Sequence, residues 1–422
     1  MKAIDIGNHV LRSVLTVAAA TVALTAGSPT QAAGADAGST PLWAPARSTK
    51  PESFWTGARM REAMPIAVIR GSAASRPPAP LVQPTGASVA SRGGTASAAT
   101  NGVDTGDPTI RPNRVNGRVF VTIGNAVGAC SGSVVATPSA SWVLTAGHCV
   151  YDANAKAFVT DVRFVPGYRN GRAPFGVWKA HSLAAAPGWI DSVNAGSPDS
   201  AVDVGAIRLD RDASRRHVEE VVGSFGIGFD QARSQTYTEY GYPVEPSPYD
   251  GSKLYSESTP YAGDDLLFNP PTLRFTSDFG AGASGGPFIN PSRVVLSVAG
   301  YTYVGDTTHI YGAYFGSAVE SLYCTTAGLA VDRVRYRANG GATLTVRTPC
   351  PGSLTMSGRS VRQRDRTVSG FNRPFALAVS AIGAARQRLR RLGHARVGIR
   401  LDHTPVVGGE TGKRLSLQLR KF

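Results

Sequence analysis

A serine surrounded by glycines is the first stretch of this sequence that could do chemistry. Gly-Ala-Ser-Gly-Gly-Pro occupies positions 282–287, with Ser284 at its centre. The glycines keep bulk away from the hydroxyl and let the chain turn tightly. The backbone N–H groups of Gly282 and Ser284 could then converge on one point and stabilise an oxyanion, and each donor of this kind contributes about 3–4 kcal/mol. Serine in a small-residue turn is common, so this stretch alone also fits a purely structural turn.

A histidine that follows an apolar strand supplies the base that such a serine needs. Trp-Val-Leu-Thr-Ala-Gly-His-Cys fills positions 142–149, which places His148 just after the strand. Serine is a weak nucleophile until a base removes its proton, and imidazole titrates in the required range. A carboxylate must orient the ring, and Asp203 lies within an apolar strand pattern. Asp199 and Asp210 are rival carboxylates, but the first lies among turn residues and the second follows the strand.

The order histidine, aspartate, serine and the two motifs resemble those of chymotrypsin-like serine proteases. The residues that carry the resemblance are Thr-Ala-Gly-His-Cys at 145–149 and the glycine-rich stretch at 282–287. Within that family the chain is most similar to the secreted bacterial branch that includes glutamyl endopeptidases. The resemblance covers roughly residues 113–330 and implies two antiparallel six-stranded β-barrels with the active site in the cleft between them. His148 and Asp203 would then come from the first barrel, and Ser284 from the second.

Four cysteines, an even number, suit two disulfides in a secreted protein. Cys130 and Cys149 bracket the base histidine, and the resemblance implies a disulfide between them. Closing a loop of this size contributes about 3 kcal/mol in the chain-entropy model. By elimination, the second predicted disulfide joins Cys324 and Cys350. The sequence has no Cys-x-x-Cys motif and no clustered histidines to favour a metal site, and the predicted chemistry needs no cofactor.

The first residues of the chain have the features of a secretory signal peptide. A positively charged start and a short apolar run precede Thr-Gln-Ala at 30–32, a small-residue cleavage point. We therefore predict a signal peptide over 1–32 and an extracellular protein. No later stretch reaches the roughly 18 apolar residues of a transmembrane helix, so no membrane span is expected after signal removal.

Residues 33–112 are rich in Ala, Gly, Ser, Thr and Pro. Such a composition buries too little apolar surface for the segment to order itself, so we expect a low-complexity propeptide or linker. An apolar island at 54–64 begins Phe-Trp-Thr and resembles a stretch that precedes the catalytic domain in related secreted bacterial proteases. It is either a propeptide contact or a linker that carries an apolar patch.

Short β-branched strands separated by glycine and proline dominate the region 113–330. Long helical periodicity is absent, apart from one predicted helix at 315–324. This pattern is typical of an antiparallel barrel or sandwich and predicts an all-β fold. The predicted strands in the first half of this region are 115–123, 133–136, 142–145, 162–165 and 204–209.

Residues 331–422 differ from the rest in charge. Positions 351–422 alone hold 15 Lys and Arg against three acids, in a chain whose net charge is +15. Alternating apolar residues predict a small β-sandwich accessory domain, similar to modules appended to secreted actinobacterial proteins. Its charge is either a solvated face or an attraction to an anionic surface such as a cell-wall polymer. Nucleic acid is a poor partner, because aromatic residues are not interleaved with the basic ones.

Substrate specificity is predicted from positions near the serine. Asp278 lies six positions before Ser284, where trypsin-like enzymes hold the carboxylate of the primary pocket. Ala299 takes the place at which glutamyl endopeptidases carry a histidine, and with Gly300 it is predicted to line the substrate site. The resemblance thus implies cleavage after arginine or lysine. Alanine at position 283 cannot form the ion pair with a new N-terminus that activates trypsin-like enzymes.

Together these features predict a secreted serine endopeptidase that cleaves protein or peptide substrates through an acyl-enzyme. The alternative is a catalytically weak or inactive binding protein of the same fold, anchored to an anionic cell surface by its basic C-terminal domain. An esterase of the same fold would need the same groups. The complete set of serine, histidine and aspartate favours an enzyme.

Overall fold

The computed structural model describes residues 4–5, 43–71, 86–90, 102–124 and 126–421. Of the predicted signal peptide, only 4–5 lie within the described residues. In the described part of the chain, no helix combines the length and the apolar character needed to cross a bilayer. The described strands and helices are numbered below in chain order.

The segment before the barrels is ordered over most of its described length. Its elements are β1 (Ile4–Asp5), β2 (Trp43–Pro45), α1 (Gly57–Arg61), β3 (Met64–Arg70), β4 (Ala87–Val89) and β5 (Val103–Asp104). The expectation that 33–112 stays without order is wrong for these stretches. The reason is that the segment buries its apolar residues on the barrels, with Trp55 and Met60 of the apolar island in the main hydrophobic core.

Six antiparallel strands close the first barrel. Chain order gives β6 (Asn116–Ile123), β7 (Ala126–Val135), β8 (Trp142–Thr145), β9 (Tyr151–Asp152), β10 (Ala157–Phe158), β11 (Thr160–Pro166), β12 (Trp178–Ala185), α2 (Trp189–Asn194) and β13 (Gly205–Leu209). The pairings run β6–β7–β8–β13–β12–β11 and return to β6. All four residues of β8 are buried, as its apolar sequence predicts. The five strands predicted here all correspond to observed strands.

A second closed ring of six antiparallel strands follows. Its elements are α3 (Val218–Val222), β14 (Gly226–Phe229), β15 (Thr236–Gly241), β16 (Tyr255–Asp265), β17 (Thr272–Thr276), β18 (Pro287–Ile289), β19 (Val294–Tyr303), β20 (His309–Gly312) and α4 (Ser317–Thr326). The ring runs β15–β16–β17–β20–β19–β18 and back to β15. The two rings confirm the predicted all-β, two-barrel fold. The predicted helix at 315–324 is α4, shifted by two residues.

The C-terminal region has its own hydrophobic core between two antiparallel sheets. Its elements are β21 (Ala330–Tyr336), β22 (Ala342–Arg347), β23 (Gly352–Ser357), β24 (Arg364–Val368), β25 (Pro374–Val379), α5 (Gly383–Leu392), β26 (His394–Pro405) and β27 (Thr411–Arg420). One sheet has the order β21–β22–β25 and the other β24–β23–β26–β27. Residues alternate between buried and exposed along β26, which is the pattern of a sheet with one face on a core.

Both predicted disulfides are present. Cys130 of β7 is bonded to Cys149, and Cys324 of α4 is bonded to Cys350. The first closes a loop that contains β8 and His148. The second ties the last helix of the two-barrel region to the C-terminal sandwich.

Candidate active site

Two neighbouring strands of the first barrel bring His148 and Asp203 together. His148 lies on a short 3-10 turn, Gly147–Cys149, that directly follows β8. Asp203 directly follows a second such turn, Ser200–Val202, just before β13. Because β8 and β13 are paired side by side, the end of one strand and the start of the other lie at the same rim of the barrel. The local sequence of each turn therefore places one member of the pair.

The geometry of this pair is that of an oriented base. Nδ1 of His148 lies 2.7 Å from Oδ2 of Asp203, and the backbone N–H of His148 donates to Oδ1 at 2.8 Å. Both side chains are only 1% exposed. A carboxylate held at Nδ1 fixes the hydrogen there and leaves Nε2 as the proton acceptor. Nε2 is buried, and none of the described residues hydrogen-bonds to it.

The rival carboxylates are engaged elsewhere. Oδ1 of Asp199 accepts the N–H of Ala201 at 3.0 Å and so caps the turn that precedes Asp203. Asp210 forms an exposed pair with His181, with 2.9 Å between Oδ1 and Nδ1. Asp203 is therefore the carboxylate that the fold offers to His148.

Ser284 sits on a tight turn that the first barrel helps to hold. Gly282 and Gly285 have φ angles of +94° and +80°, which only glycine adopts readily. A Cβ on Gly282 would also lie 2.5 Å from the carbonyl oxygen of Tyr242. Ser131 of β7 fixes the turn, because its Oγ donates to the carbonyl of Gly282 at 2.8 Å and its N–H donates to the carbonyl of Ser284 at 2.8 Å.

The turn leaves two backbone donors available. In the described chain, no acceptor is recorded for the N–H of Gly282 or of Ser284, while the carbonyl groups of both residues are hydrogen-bonded. These two N–H groups are the ones expected to bind an oxyanion. Ala283 between them is fully buried in the core of the second barrel, in keeping with its lack of charge.

A cavity of about 300 Å³ opens beside Ser284. Asp278 and Gly300, which were predicted to bind substrate, both line it, as does Ser284 itself. Ala299 does not, because its side chain is fully buried and its backbone pairs with Gly285 and Gly286 of the nucleophile turn. Ala299 thus positions the turn and does not contact a side chain in the cavity.

The cavity is rich in acids. Glu245 and Asp306 line it in addition to Asp278, and His309 lines it beside Asp306. Nδ1 of His309 lies 3.2 Å from Oδ1 of Asp306. The carboxylate of Asp278 is exposed to the cavity and accepts the Tyr249 hydroxyl at 2.9 and 3.0 Å.

Behind Asp278 lies a pair of buried glutamates that the sequence did not reveal. Glu239 of β15 and Glu257 of β16 are directly opposite each other in the strand register. The hydroxyl of Ser277, next to Asp278, donates to Oε2 of Glu239 at 2.8 Å. Burial raises the pKa of Glu257 to about 7 and, together with the neighbouring Glu257, raises the pKa of Glu239 well above its usual range. Neither residue lies in a local motif, so only the strand register brings them together.

Metal ligation does not fit the one histidine–cysteine cluster found among the described residues. That cluster consists of Cys130, His148 and Cys149. Its two sulfurs are bonded to each other, so they cannot act as thiolate ligands. His148 is instead committed to Asp203.

The two-barrel region is similar to known proteins. The family model described as Trypsin matches residues 105–319. A glutamyl endopeptidase from Bacillus licheniformis is 28% identical over 202 residues, which are 48% of this chain and 57% of that protein. The chain therefore spans little more than half the length of this curated relative.

Two solved structures are also similar. One is the protease Anisep from Arthrobacter nicotinovorans, 32% identical with a TM-score of 0.44, over 50% of this chain and 94% of that one. The other is the thermostable serine protease AL20 from an extremophilic microorganism, 29% identical with a TM-score of 0.45, over 49% and 94%. The family match spans both barrels and includes all three candidate catalytic residues, and so this chain belongs to the trypsin family.

Proposed function

We propose that this protein is a secreted serine endopeptidase with Ser284 as nucleophile, His148 as general base and Asp203 as the residue that orients the histidine. The observation that carries the proposal is the buried His148–Asp203 pair, joined by two hydrogen bonds at 2.7 and 2.8 Å. The pair holds the ring in place through Nδ1 and leaves Nε2, on the other side of the ring, to accept a proton.

The reaction follows from these positions. Ser284 Oγ attacks the peptide carbonyl carbon while Nε2 of His148 takes its proton, and the N–H groups of Gly282 and Ser284 stabilise the oxyanion. The imidazolium, stabilised by Asp203, then gives the proton to the leaving amine, and the C–N bond breaks to leave an acyl-enzyme. Water then attacks the ester carbonyl carbon while Nε2 of His148 takes a proton from it. The imidazolium returns this proton to Ser284 Oγ as the ester C–O bond breaks, which releases the carboxylic acid product and restores Ser284.

The cavity favours an arginine or lysine residue before the scissile bond. Asp278 presents an exposed carboxylate at the trypsin-like position, and Glu245 and Asp306 add carboxyl groups to the lining of the same cavity. The Tyr249 hydroxyl orients the Asp278 carboxylate through both oxygens. Burial and the nearby Asp278 raise the pKa of Tyr249, so its phenol stays protonated and keeps donating. A cationic side chain would form charge-assisted hydrogen bonds in this cavity.

Maturation and location extend the same proposal. Residues 1–32 would direct secretion and 33–112 would include a propeptide, with the protease region at 113–330 and the accessory domain at 331–422. Two disulfides suit the oxidising surroundings of an extracellular protein. Protein and peptide chains are the expected substrates.

The C-terminal sandwich is proposed to attract an anionic surface such as a cell-wall polymer. Four arginines of α5, on a helix whose other face is buried, are exposed: Arg386, Arg388, Arg390 and Arg391. Exposed charges of one sign on one helix attract polyanions at low salt, and the attraction weakens as salt screens it. Retention of the full chain on an anionic matrix should therefore fall steeply with salt, and replacing the four arginines with glutamine should lower the salt concentration at which the chain is released.

A fluorophosphonate probe tests the enzymatic proposal against the inactive-scaffold alternative. The probe phosphonylates only an activated serine, so the processed protein should become labelled and Ser284→Ala should not. Ser214→Ala, which replaces an exposed serine that does not line the cavity, is the matched control and should keep its label. Labelling that persists in Ser284→Ala, or its absence from the processed wild type, would contradict the proposed function. Profiling against peptides and simple esters then separates a peptidase from an esterase.

A further inference from the structure

The strand β3, Met64–Arg70, crosses the active-site cleft. Its first residues pair in parallel with β7 of the first barrel, Met64 opposite Gly128 and Pro65 opposite Ala129. Its last residues pair in parallel with β19 of the second barrel, Val68 opposite Tyr301 and Arg70 opposite Tyr303. Between these two contacts the strand lies against the turn that carries His148. β3 therefore bridges the two barrels directly over the catalytic groups.

This strand covers the groups that a substrate must reach. Ala67, Val68 and Ile69 line the same cavity as Ser284. With β3 in place, Ser284 is 6% exposed and His148 is 1% exposed. A peptide cannot bring its carbonyl to Ser284 without displacing the strand.

The direction of β3 is opposite to that of a productive substrate. The acidic cavity includes Gly300 and Tyr301 of β19, so the acyl part of a substrate lies along β19 and its leaving group lies toward β7. A substrate would therefore run from β19 to β7, antiparallel to β19. β3 runs from β7 to β19. A peptide bond of β3 placed over Ser284 thus has its nitrogen on the side away from the leaving-group position.

Contacts outside the cleft hold the segment that carries β3. Asp161 accepts the N–H groups of Thr49 and Lys50 at 2.6 and 2.7 Å and the hydroxyl of Thr49 at 2.6 Å. Burial opposes ionisation of Asp161, but hydrogen bonds from Thr49, Lys50 and Thr122 outweigh it and lower its pKa to about 2. Glu52 pairs with buried Arg163 at 2.8 Å. The carboxylate of Asp161 is thus charged at neutral pH and holds the segment firmly.

Arg70 fastens the far end of the strand to the catalytic machinery. Its guanidinium donates to Ser200 Oγ and to the carbonyl of Pro198, each at 2.7 Å, and lies over the ring of Phe268 at 4.8 Å. Ser200 belongs to the turn that leads into Asp203. The strand is therefore tied to the second barrel and to the turn that positions the triad carboxylate.

We propose that 43–71 is an inhibitory segment that fills the cleft in reverse and stays bound after the chain is cut, so that activation needs its release as well as a cleavage. The proposal rests on the proposed function, since it describes how that site is kept closed. Two events, cutting and release, give an enzyme that is switched on with a delay.

A full-length chain with a recognition site for an unrelated cysteine protease placed within 72–85 tests this. After cutting, size-exclusion chromatography shows whether the N-terminal fragment stays bound, and fluorophosphonate labelling measures access to Ser284. The cut wild type should retain its fragment and label slowly. Arg70→Ala, which loses the contacts to Ser200 and Phe268, should release the fragment and label about tenfold faster. Arg59→Ala is the matched control, because the guanidinium of Arg59 lies over the ring of Phe54 in the same segment, and it should behave as wild type.

Different results overturn different claims. If the uncut chain labels as fast as fragment-free protein, or if release lowers labelling, β3 is a structural part of the active enzyme and this inference is wrong. If fragment-free, folded protein never labels while the fragment of cut wild type remains bound, the proposed function fails and the inhibitory role fails with it.

Discussion

Both barrels bury a pair of ionisable side chains contributed by neighbouring strands or their ends, and the two pairs have opposite electrostatics. In the first barrel His148 and Asp203 lie at the rim where β8 ends and β13 begins. In the second barrel Glu239 and Glu257 face each other in the interior of β15 and β16. The first pair joins a base to an acid, whereas the second joins two acids.

This difference decides what each pair can do. The two oxygens of buried Asp203 are both hydrogen-bonded, one to the backbone N–H and one to the ring of His148. Two carboxyl groups that share one buried site cannot both ionise easily, so Glu239 and Glu257 hold on to protons. The first pair can therefore orient a base for proton transfer, while the second is a largely protonated pair behind the substrate cavity.

Breaking the first pair should have the largest effect. Asp203→Asn keeps the shape of the side chain but lets the wrong tautomer of His148 form, and we expect kcat to fall by about 10⁴ with little change in KM. Steady-state kinetics of the released, processed enzyme on a short peptide measures this. Asp210→Asn, which loses only an exposed pair with His181, should keep at least half of the wild-type kcat. A fall of less than tenfold in Asp203→Asn would show that this carboxylate does not orient the base.

Removing the charge in front of the second pair should have a smaller and substrate-selective effect. Asp278→Ser should lower kcat/KM for a peptide with arginine before the scissile bond by about 100-fold, the loss of a strong charge-assisted hydrogen bond. The matched peptide with leucine should change little, and a peptide with glutamate should remain poor. Asp306→Ser, which removes a cavity carboxylate paired with His309, separates a general loss of charge from a specific role of Asp278. A preference for arginine that survives in Asp278→Ser, or a preference for glutamate in the wild type, would contradict the assignment.

The sequence predicted the first pair well and the second not at all, because the two depend on different kinds of information. His148 and Ser284 each lie in a short motif whose local turn places them, and Asp203 lies at the start of a strand with an apolar pattern. Glu239 and Glu257 come from separate strands, and they meet only through the register of β15 on β16. No spacing within one stretch of chain reports that register.

The N-terminal segment shows the same limit in another form. Its composition predicted a chain unable to order itself, yet 43–71 forms two strands and a helix. The order comes from contacts with the barrels. Asp161, for example, accepts hydrogen bonds from Thr49 and Lys50, which lie more than 100 positions away in the sequence. Composition reports what a segment can bury against itself, and it does not report what a neighbouring domain offers.

The smallest expected effect concerns how pH acts on the glutamate pair. Burial raises the pKa of Glu257 from 4.5 to about 7, so the folded state favours its neutral form. A raised acid pKa means that the folded state binds more protons than the unfolded state between about pH 4.5 and pH 7, and stability falls as pH rises through this window.

Glu257→Gln removes the charge that must be buried and leaves the shape nearly unchanged. We therefore expect the stability of the variant relative to wild type to increase by about 2.5 kcal/mol between about pH 5 and about pH 8. Urea unfolding at the two pH values measures this, with Glu62→Gln on the exposed end of α1 as the control whose difference should stay constant. A relative stability of Glu257→Gln that is the same at both pH values would show that this carboxyl group does not titrate in that range, and that the two barrels do not differ as described.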